Sequence, residues 1–168
     1  MKTLFILRHA KSSWNNSDLA DFDRPLNERG LEAAPLMGNV IYENQFQPDL
    51  IISSPAKRAK QTAILVRASA QIEGAIQYDE KIYEASPRRL LQIVSEQNDK
   101  LESLMLVGHN PGFEGLLKLL TGESQTMATA NLAVIDLQIE GWSEIDANCG
   151  TLRVLISPKQ QTKMPSLH

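Results

Sequence analysis

The sequence predicts one α/β domain of three layers, α/β/α, with a mostly parallel central sheet. Three observations lead there. Short continuous apolar runs, Leu4–Leu7, Leu50–Ile52 and Leu104–Val107, are bounded by polar residues and read as strands buried on both faces. Each is followed by chain of helical periodicity long enough for the crossover that parallel strands need. The 168 residues carry no repeat, low-complexity segment or linker, so one domain with an ample core accounts for the chain. That domain is expected over residues 1–157, with 158–168 a polar C-terminal tail to which no role, including for His168, is assigned.

The first strand, Leu4–Leu7, stops on Arg8 and His9. A polar stretch over 15–27 follows, containing Asp21, Asp23, Arg24 and Pro25. Asn27 is a suitable N-cap for a helix to about Tyr42, whose inner face would be Leu31, Ala34, Gly38 and Ile41. Pro35 falls inside that helix and is expected to kink or break it. Leu50–Ile52 is the second strand, and Ser54 with Pro55 reads as N-cap and first position of a helix to about Ser69. Ala59, Thr62, Ala63 and Val66 would be its buried face. Its first turn carries Lys57, Arg58 and Lys60, although a helix amino end is already partly positive and favours acids. Either the side chains are solvated, or a bound anion resolves the conflict.

A short strand is expected near Ile76–Tyr78. Ser86–Pro87 then opens a helix with Leu90, Leu91, Ile93 and Val94 inward, and Glu84 just precedes it. The third apolar strand, Leu104–Val107, ends in Gly108–His109–Asn110–Pro111–Gly112. Asn110 is expected to cap and Pro111 to open a helix whose stripe is Phe113, Leu116, Leu117 and Leu120, ending at Gly122. Leu132–Ile139 and Thr151–Ile156 read as two more strands, with too little chain between them for a crossover, and so as an antiparallel pair.

Composition narrows the function classes. A net charge of −3 and 5% aromatic residues argue against a nucleic-acid binder. The one cysteine, Cys149, allows no internal disulfide and suits a reducing compartment. Lys2 is followed by too short an apolar run for a secretory signal, and nothing approaches a membrane span. A cytoplasmic protein with no membrane partner is expected.

Three strands thus end in Arg8–His9, in Ser53–Ser54 with Arg58 nearby, and in Gly108–His109. In an open parallel sheet, ligands bind at the carboxyl ends of the strands. If these strands are parallel neighbours, two arginines and two histidines converge there and suit a tetrahedral dianion. Otherwise the basic groups simply face water. There is no P-loop or glycine-rich nucleotide fingerprint, so charge would come from side chains. His9 and His109 have no histidine at i+4 and no cysteine pair, so no metal site is expected. No G-x-S-x-G elbow occurs for serine-hydrolase chemistry.

The stretch from Arg8 through His9, Ala10, Lys11, Ser12, Ser13 and Trp14 to Asn15 resembles the Arg-His-Gly signature of the histidine phosphatase superfamily, which includes the cofactor-dependent phosphoglycerate mutases. The resemblance continues through Arg24–Gly30, Ser53–Pro55 with Arg58, Gln61 and Thr62, Tyr83–Ser86, and Val107–Gly112, in the family's order to about Ile156. Within the superfamily it is nearest the SixA-like phosphohistidine phosphatases. The resemblance implies a phosphoglycerate mutase-like fold and metal-independent phosphatase chemistry with no cofactor. His9 would attack phosphorus and become a phosphohistidine that water cleaves. Arg8, Arg58 and His109 would neutralise the phosphoryl oxygens, His109 as an imidazolium. Ser12, Asn15 and Asn110 would also contact phosphate. Glu84 would be the acid that protonates the leaving group, or only the acid at the start of the Ser86–Pro87 helix. Ala10 replaces a frequent glycine and makes the backbone there less permissive.

The intervals between motifs are short, which implies an open site able to admit a phosphorylated side chain of another protein. Phosphohistidine on a protein is therefore the expected substrate and inorganic phosphate the product. The alternatives are a phosphatase of small sugar or acid phosphomonoesters, and a non-catalytic phosphate or phosphoprotein binder.

Overall fold

A computed structural model describes residues 1–158; all but the first residue of the expected tail lies outside the described residues. The chain runs β1 (Lys2–Arg8), a 3-10 turn (Asp21–Asp23), α1 (Glu28–Glu43), β2 (Leu50–Ser53), α2 (Lys57–Ala70), β3 (Ala75–Tyr78) and a second 3-10 turn (Glu80–Ile82). It continues through α3 (Pro87–Ser95), β4 (Ser103–Gly108), α4 (Gly112–Thr121), β5 (Leu132–Leu137), a third 3-10 turn (Trp142–Glu144) and β6 (Gly150–Ile156). The strands form one six-stranded sheet in the order β3-β2-β4-β1-β5-β6. The first four strands are mutually parallel, while β5 runs antiparallel to both β1 and β6. The expected antiparallel pair is therefore present.

Alternation along the strands divides the core between the two faces of the sheet. Leu4, Ile6, Leu104 and Leu106 pack with Leu90, Phe113, Leu116 and Leu117 of α3 and α4. Phe5, Leu7, Met105 and Val107 pack with Ala34, Ile41, Ala63 and Val66 of α1 and α2. Both faces are covered, which is why these strands are continuous apolar runs and do not alternate with polar residues.

Several local expectations are corrected. α1 passes through Pro35 without a break. The carbonyl that loses a partner there belongs to Leu31, which is 47% exposed and open to water. Leu31 is accordingly not on the inner face, which Met37 and Val40 complete instead. Ser54 does not cap α2: that helix starts at Lys57 behind Ala56, with no side-chain cap. Pro55 therefore precedes the helix. α4 likewise starts at Gly112 behind Pro111, across a cis Asn110–Pro111 bond. Asn27 and Ser86 do cap, accepting from the Gly30 and Arg89 amides at 2.9 and 3.2 Å. Gly30 has a second duty. A Cβ there would lie 2.2 Å from the Lys11 carbonyl oxygen, so the close approach of α1 to the segment after β1 needs a residue without one.

Candidate active site

The register of the three central strands decides what meets at their carboxyl ends. Arg8 stands opposite Gly108, and Ser53 opposite Val107. Just past the strands, the His9 amide donates to the Gly108 carbonyl at 3.0 Å and the Ser54 amide to that of Val107 at 2.9 Å. The His9 and His109 ring centroids are consequently 5.2 Å apart. Arg58, in the first turn of α2, reaches the same place: its Nε donates to His9 Nε2 over 3.3 Å.

His9 is 6% exposed. Its Nδ1 lies 2.7 Å from the Ala10 carbonyl oxygen. A carbonyl can only accept, so Nδ1 carries the proton and Nε2 keeps its lone pair. Burial pushes the His9 pKa down to about 4, helped by the charges of Arg58, Arg8 and Arg24 and opposed by the Ala10 hydrogen bond. His9 is therefore a neutral imidazole near pH 7. Ala10 does not adopt a left-handed backbone, in contrast to Glu84 at φ 57, so the residue needs no glycine-like freedom. Its amide donates to Thr62 Oγ1 at 3.0 Å, and that hydroxyl donates to the Arg58 carbonyl at 2.7 Å.

The imidazolium expected of His109 belongs to the phosphate-bound site; without an anion the ring is neutral. Burial first, then the neighbouring His9 and Arg58, push its pKa down to about 3. In the unliganded site a further cation among arginines is disfavoured; a dianion bound here would reverse that balance. His109 Nε2 pairs with Ser54 Oγ at 2.8 Å, which is where the hydroxyl expected to cap α2 is used. Its Nδ1 is buried and has no partner among the described residues, and the same holds for Arg8 Nε. Arg8 is anchored through Nη1 to the Met127 carbonyl at 3.0 Å.

Asp21 organises the other side of the site. Arg58 donates from Nη1 to the Asp21 carbonyl at 2.7 Å and from Nη2 to Asp21 Oδ2 at 3.0 Å. The Tyr83 hydroxyl donates to the same Oδ2 at 2.6 Å. Arg24 Nε and Nη2 both donate to Oδ1, at 3.1 and 3.0 Å. Partial burial works to raise the Asp21 pKa, but the bonds from Tyr83, Arg58 and Arg24 outweigh it and hold the carboxyl well below the usual range. Burial and the bond to Asp21 push the Tyr83 hydroxyl up to about 12. Arg24 is buried, stacks 3.5 Å from the Trp14 ring centre, and donates from Nη1 to Ser12 Oγ at 2.8 Å.

Arg8, His9, Arg58 and His109 are thus brought together. Glu84 is exposed and lines a cavity of about 590 Å³ with Asp21, Arg58, Tyr83 and His109. Ser12 is buried with its hydroxyl accepting from Arg24, so it meets the site through that arginine. Asn110 lines the cavity, but its side-chain amide is used within the fold: Nδ2 donates to Glu114 Oε2 and the Met127 carbonyl, and Oδ1 accepts from the Glu114 amide. Its expected phosphate contact is not supported by a free side-chain donor. Asn15 is exposed and lines a separate groove with Ser13, Leu26 and Arg29. Lys57 and Lys60 are exposed, leaving Arg58 as the buried cation of that turn.

Sequence reasoning missed Asp21, Arg24, Tyr83 and the true duty of Ser54. The resemblance runs through Arg24 and Tyr83 without giving either a role, and Asp21 stands in the sequence only as one acid of a polar loop. Among the described residues, no group of three or more His, Cys, Asp or Glu side chains could hold a metal ion, and no helix is long and apolar enough to cross a membrane.

A mostly parallel α/β sheet that presents paired imidazoles and buried guanidiniums at its carboxyl edge defines a class of oxyanion-binding proteins. Within it, this chain belongs to the histidine phosphatase superfamily (branch 1), whose model matches residues 4–103. An uncharacterized Mycobacterium tuberculosis protein, Rv1276c, is 32% identical over 158 residues, spanning 87% of this chain and 96% of that one. The crystal structure of a protein assigned as the phosphohistidine phosphatase SixA from Agrobacterium tumefaciens is similar at a TM-score of 0.80 and 30% identity, covering 94% of this chain and 98% of that one. Mycobacterial glucosyl-3-phosphoglycerate phosphatase shares the fold at a TM-score of 0.67 and 16% identity, covering 91% and 97%.

Proposed function

We propose that this chain is a phosphatase that works through a covalent phosphohistidine on His9, and that its substrate is phosphohistidine on a protein. The observation that carries the reading is the state of His9: neutral, with the Nε2 lone pair aimed at a guanidinium and not at a carbonyl. A neutral imidazole so held is a nucleophile for phosphorus. Nε2 forms the N–P bond as the bond from phosphorus to the leaving atom breaks, with the electron pair going to that atom. Water then attacks the phosphohistidine and releases inorganic phosphate.

The charge on the equatorial oxygens is met by side chains. Arg8 Nε is a buried donor and His109 Nδ1 a buried ring nitrogen, both without partners among the described residues, and buried polar groups left unpaired are costly. Phosphoryl oxygens satisfy both. If Ser54 Oγ donates to His109 Nε2, the His109 proton sits on Nδ1, where it is needed. Arg58 keeps one further N–H on each terminal nitrogen beyond those given to Asp21. Glu84, which lines the cavity, is the proposed acid for an oxygen leaving group.

Two features support a protein substrate. The cavity is shallow enough that Glu84 and Asp21 are exposed, so a side chain can enter from a folded surface. The similarity to the Agrobacterium protein extends over 94% of this chain. A cytoplasmic setting fits the single Cys149. The test offers a phosphohistidine peptide in competition with sugar and glycolytic phosphates, with excess chelator present. Preferential release of phosphate from the peptide is expected. Preferential cleavage of a small phosphate ester would overturn the substrate, and no turnover of any would overturn the enzyme.

A further inference from the structure

Asp21 is a carboxylate in a site built to receive a dianion, and the mechanism above does not use it. It lines the same cavity as Glu84, Tyr83, Arg58 and His109. Its side chain is 49% exposed, whereas His9 beneath is 6% exposed. An in-line attack from His9 places the leaving group on the opposite side of phosphorus, toward the opening. Asp21 and Glu84 stand there together, and Arg58 links Asp21 directly to the nucleophile.

We infer that Asp21 is a specificity-determining residue, whose carboxylate favours substrates with a nitrogen leaving atom over phosphate esters of alcohols. The inference rests on the phosphatase reading and deepens it. When a P–O ester bond breaks, the electron pair goes to oxygen and negative charge builds on it, facing a carboxylate. When the P–N bond of a phosphorylated imidazolium breaks, the pair goes to nitrogen and a neutral imidazole departs, keeping the proton on its other nitrogen. No negative charge develops on that leaving group. Before cleavage its cation is attracted to the carboxylate, which favours the protonated, reactive form. Asp21 faces this position from the opening side, beside the proposed acid Glu84, and the charges of Arg58, Arg8 and Arg24 act on His9 beneath.

Three donors hold the Asp21 carboxylate: Tyr83, Arg58 and Arg24. It therefore stays ionised and cannot itself supply a proton to a departing alkoxide. That division leaves acid catalysis to Glu84 and gives Asp21 an effect of charge alone. A simpler role, clamping Arg58 and Arg24, would affect every substrate alike, because each phosphoryl group needs the same arginines. The ratio between two substrates separates the roles.

The experiment compares kcat/KM for N-phosphoimidazole and phenyl phosphate in the wild type, Asp21→Asn and Asp21→Glu. Asp21→Asn is expected to lower the ratio of the two by about five- to tenfold, the scale of one partly screened charge contact. Asp21→Glu, which keeps the charge, is expected to hold the ratio within about threefold of wild type, even if both rates fall. Circular dichroism of each variant establishes that it is folded. A ratio unchanged in Asp21→Asn, or lost equally in both variants, overturns the inference while leaving the phosphatase intact. A wild type that cleaves neither compound overturns the phosphatase reading itself. One that cleaves only the ester overturns the nitrogen preference at its root.

Discussion

Arg58 Nε donates to His9 Nε2 over 3.3 Å, so in the unliganded site the lone pair of the proposed nucleophile is held by the cation that is to grip its target. The pair keeps the ring oriented and neutral: a second proton on Nε2 would face a guanidinium. Phosphorus can approach only by taking the place of this hydrogen bond. The bond is long for an N–H donor, so little is lost when it breaks.

His9→Ala is expected to abolish hydrolysis, with a fall in kcat on the order of 10⁴-fold or more, while oxyanion binding persists. The arginines that hold the oxygens do not depend on the ring for their anchors: Arg8 is tied to Met127 and Arg58 to Asp21. Calorimetry with tungstate or vanadate should detect weakened but measurable binding. Retained turnover would refute the nucleophile.

Arg58→Ala is expected to lower kcat/KM by roughly 10²–10³-fold, the cost of removing one preorganised donor to developing charge. Arg58→Lys should recover little of it, because an ammonium cannot bridge His9 and Asp21 in one plane. Steady-state kinetics on an aryl phosphate measure both. By contrast, Asn15→Ala should leave kcat/KM within about twofold of wild type, since that residue lies in a different groove.

The central sheet was legible in the sequence because strands covered on both faces are unbroken apolar runs, and Leu4–Leu7 and Leu104–Val107 are buried runs too short for helices. The meeting of His9 with His109 followed from the same fact, since both sit two residues beyond such a run. What could not be read was contributed by the segment between β1 and α1. It is polar and aperiodic, and its path depends on an isolated bridge between Ser12 and Leu26 and on Arg24 stacked over Trp14. Only folding reveals that this loop carries Asp21 to Arg58, 37 positions away. Ser54 was misread for a different reason. Ser-Pro looks the same whether a helix starts at once or two residues later, and here the hydroxyl serves His109.

Acid should unfold the protein through its buried imidazoles. The His9 pKa is about 4 folded, against an ordinary value near 6.5 in the unfolded chain. Between those values the unfolded state binds more protons, so lowering the pH favours it. The contribution is fully present above pH ~6.5 and is lost as pH falls through ~4, amounting to roughly 3 kcal/mol for His9. His109, at about 3, acts in the same direction. Urea unfolding at a series of pH values from 7.5 to 4 should show stability declining across this window, and His9→Gln should flatten the slope. A pH-independent midpoint would mean that the rings are protonated or solvent-exposed in the folded state.

Thr62→Val tests the buried link between the nucleophile's strand and the helix that carries Arg58. The Thr62 hydroxyl is fully buried, accepts from the Ala10 amide at 3.0 Å and donates to the Arg58 carbonyl at 2.7 Å. Valine matches its shape but strands the Ala10 amide without a partner, a loss of about 1–3 kcal/mol. Ala10 also supplies the carbonyl that fixes the His9 tautomer, so a shift of its peptide turns the ring. Both melting temperature and kcat should therefore fall in Thr62→Val, with KM changing less, because the oxygens are still held by Arg8 and Arg58. Stability lost with kcat intact would show that Thr62 supports the fold alone. Serine, which keeps the hydroxyl and drops the methyl, should restore kcat while recovering only part of the stability.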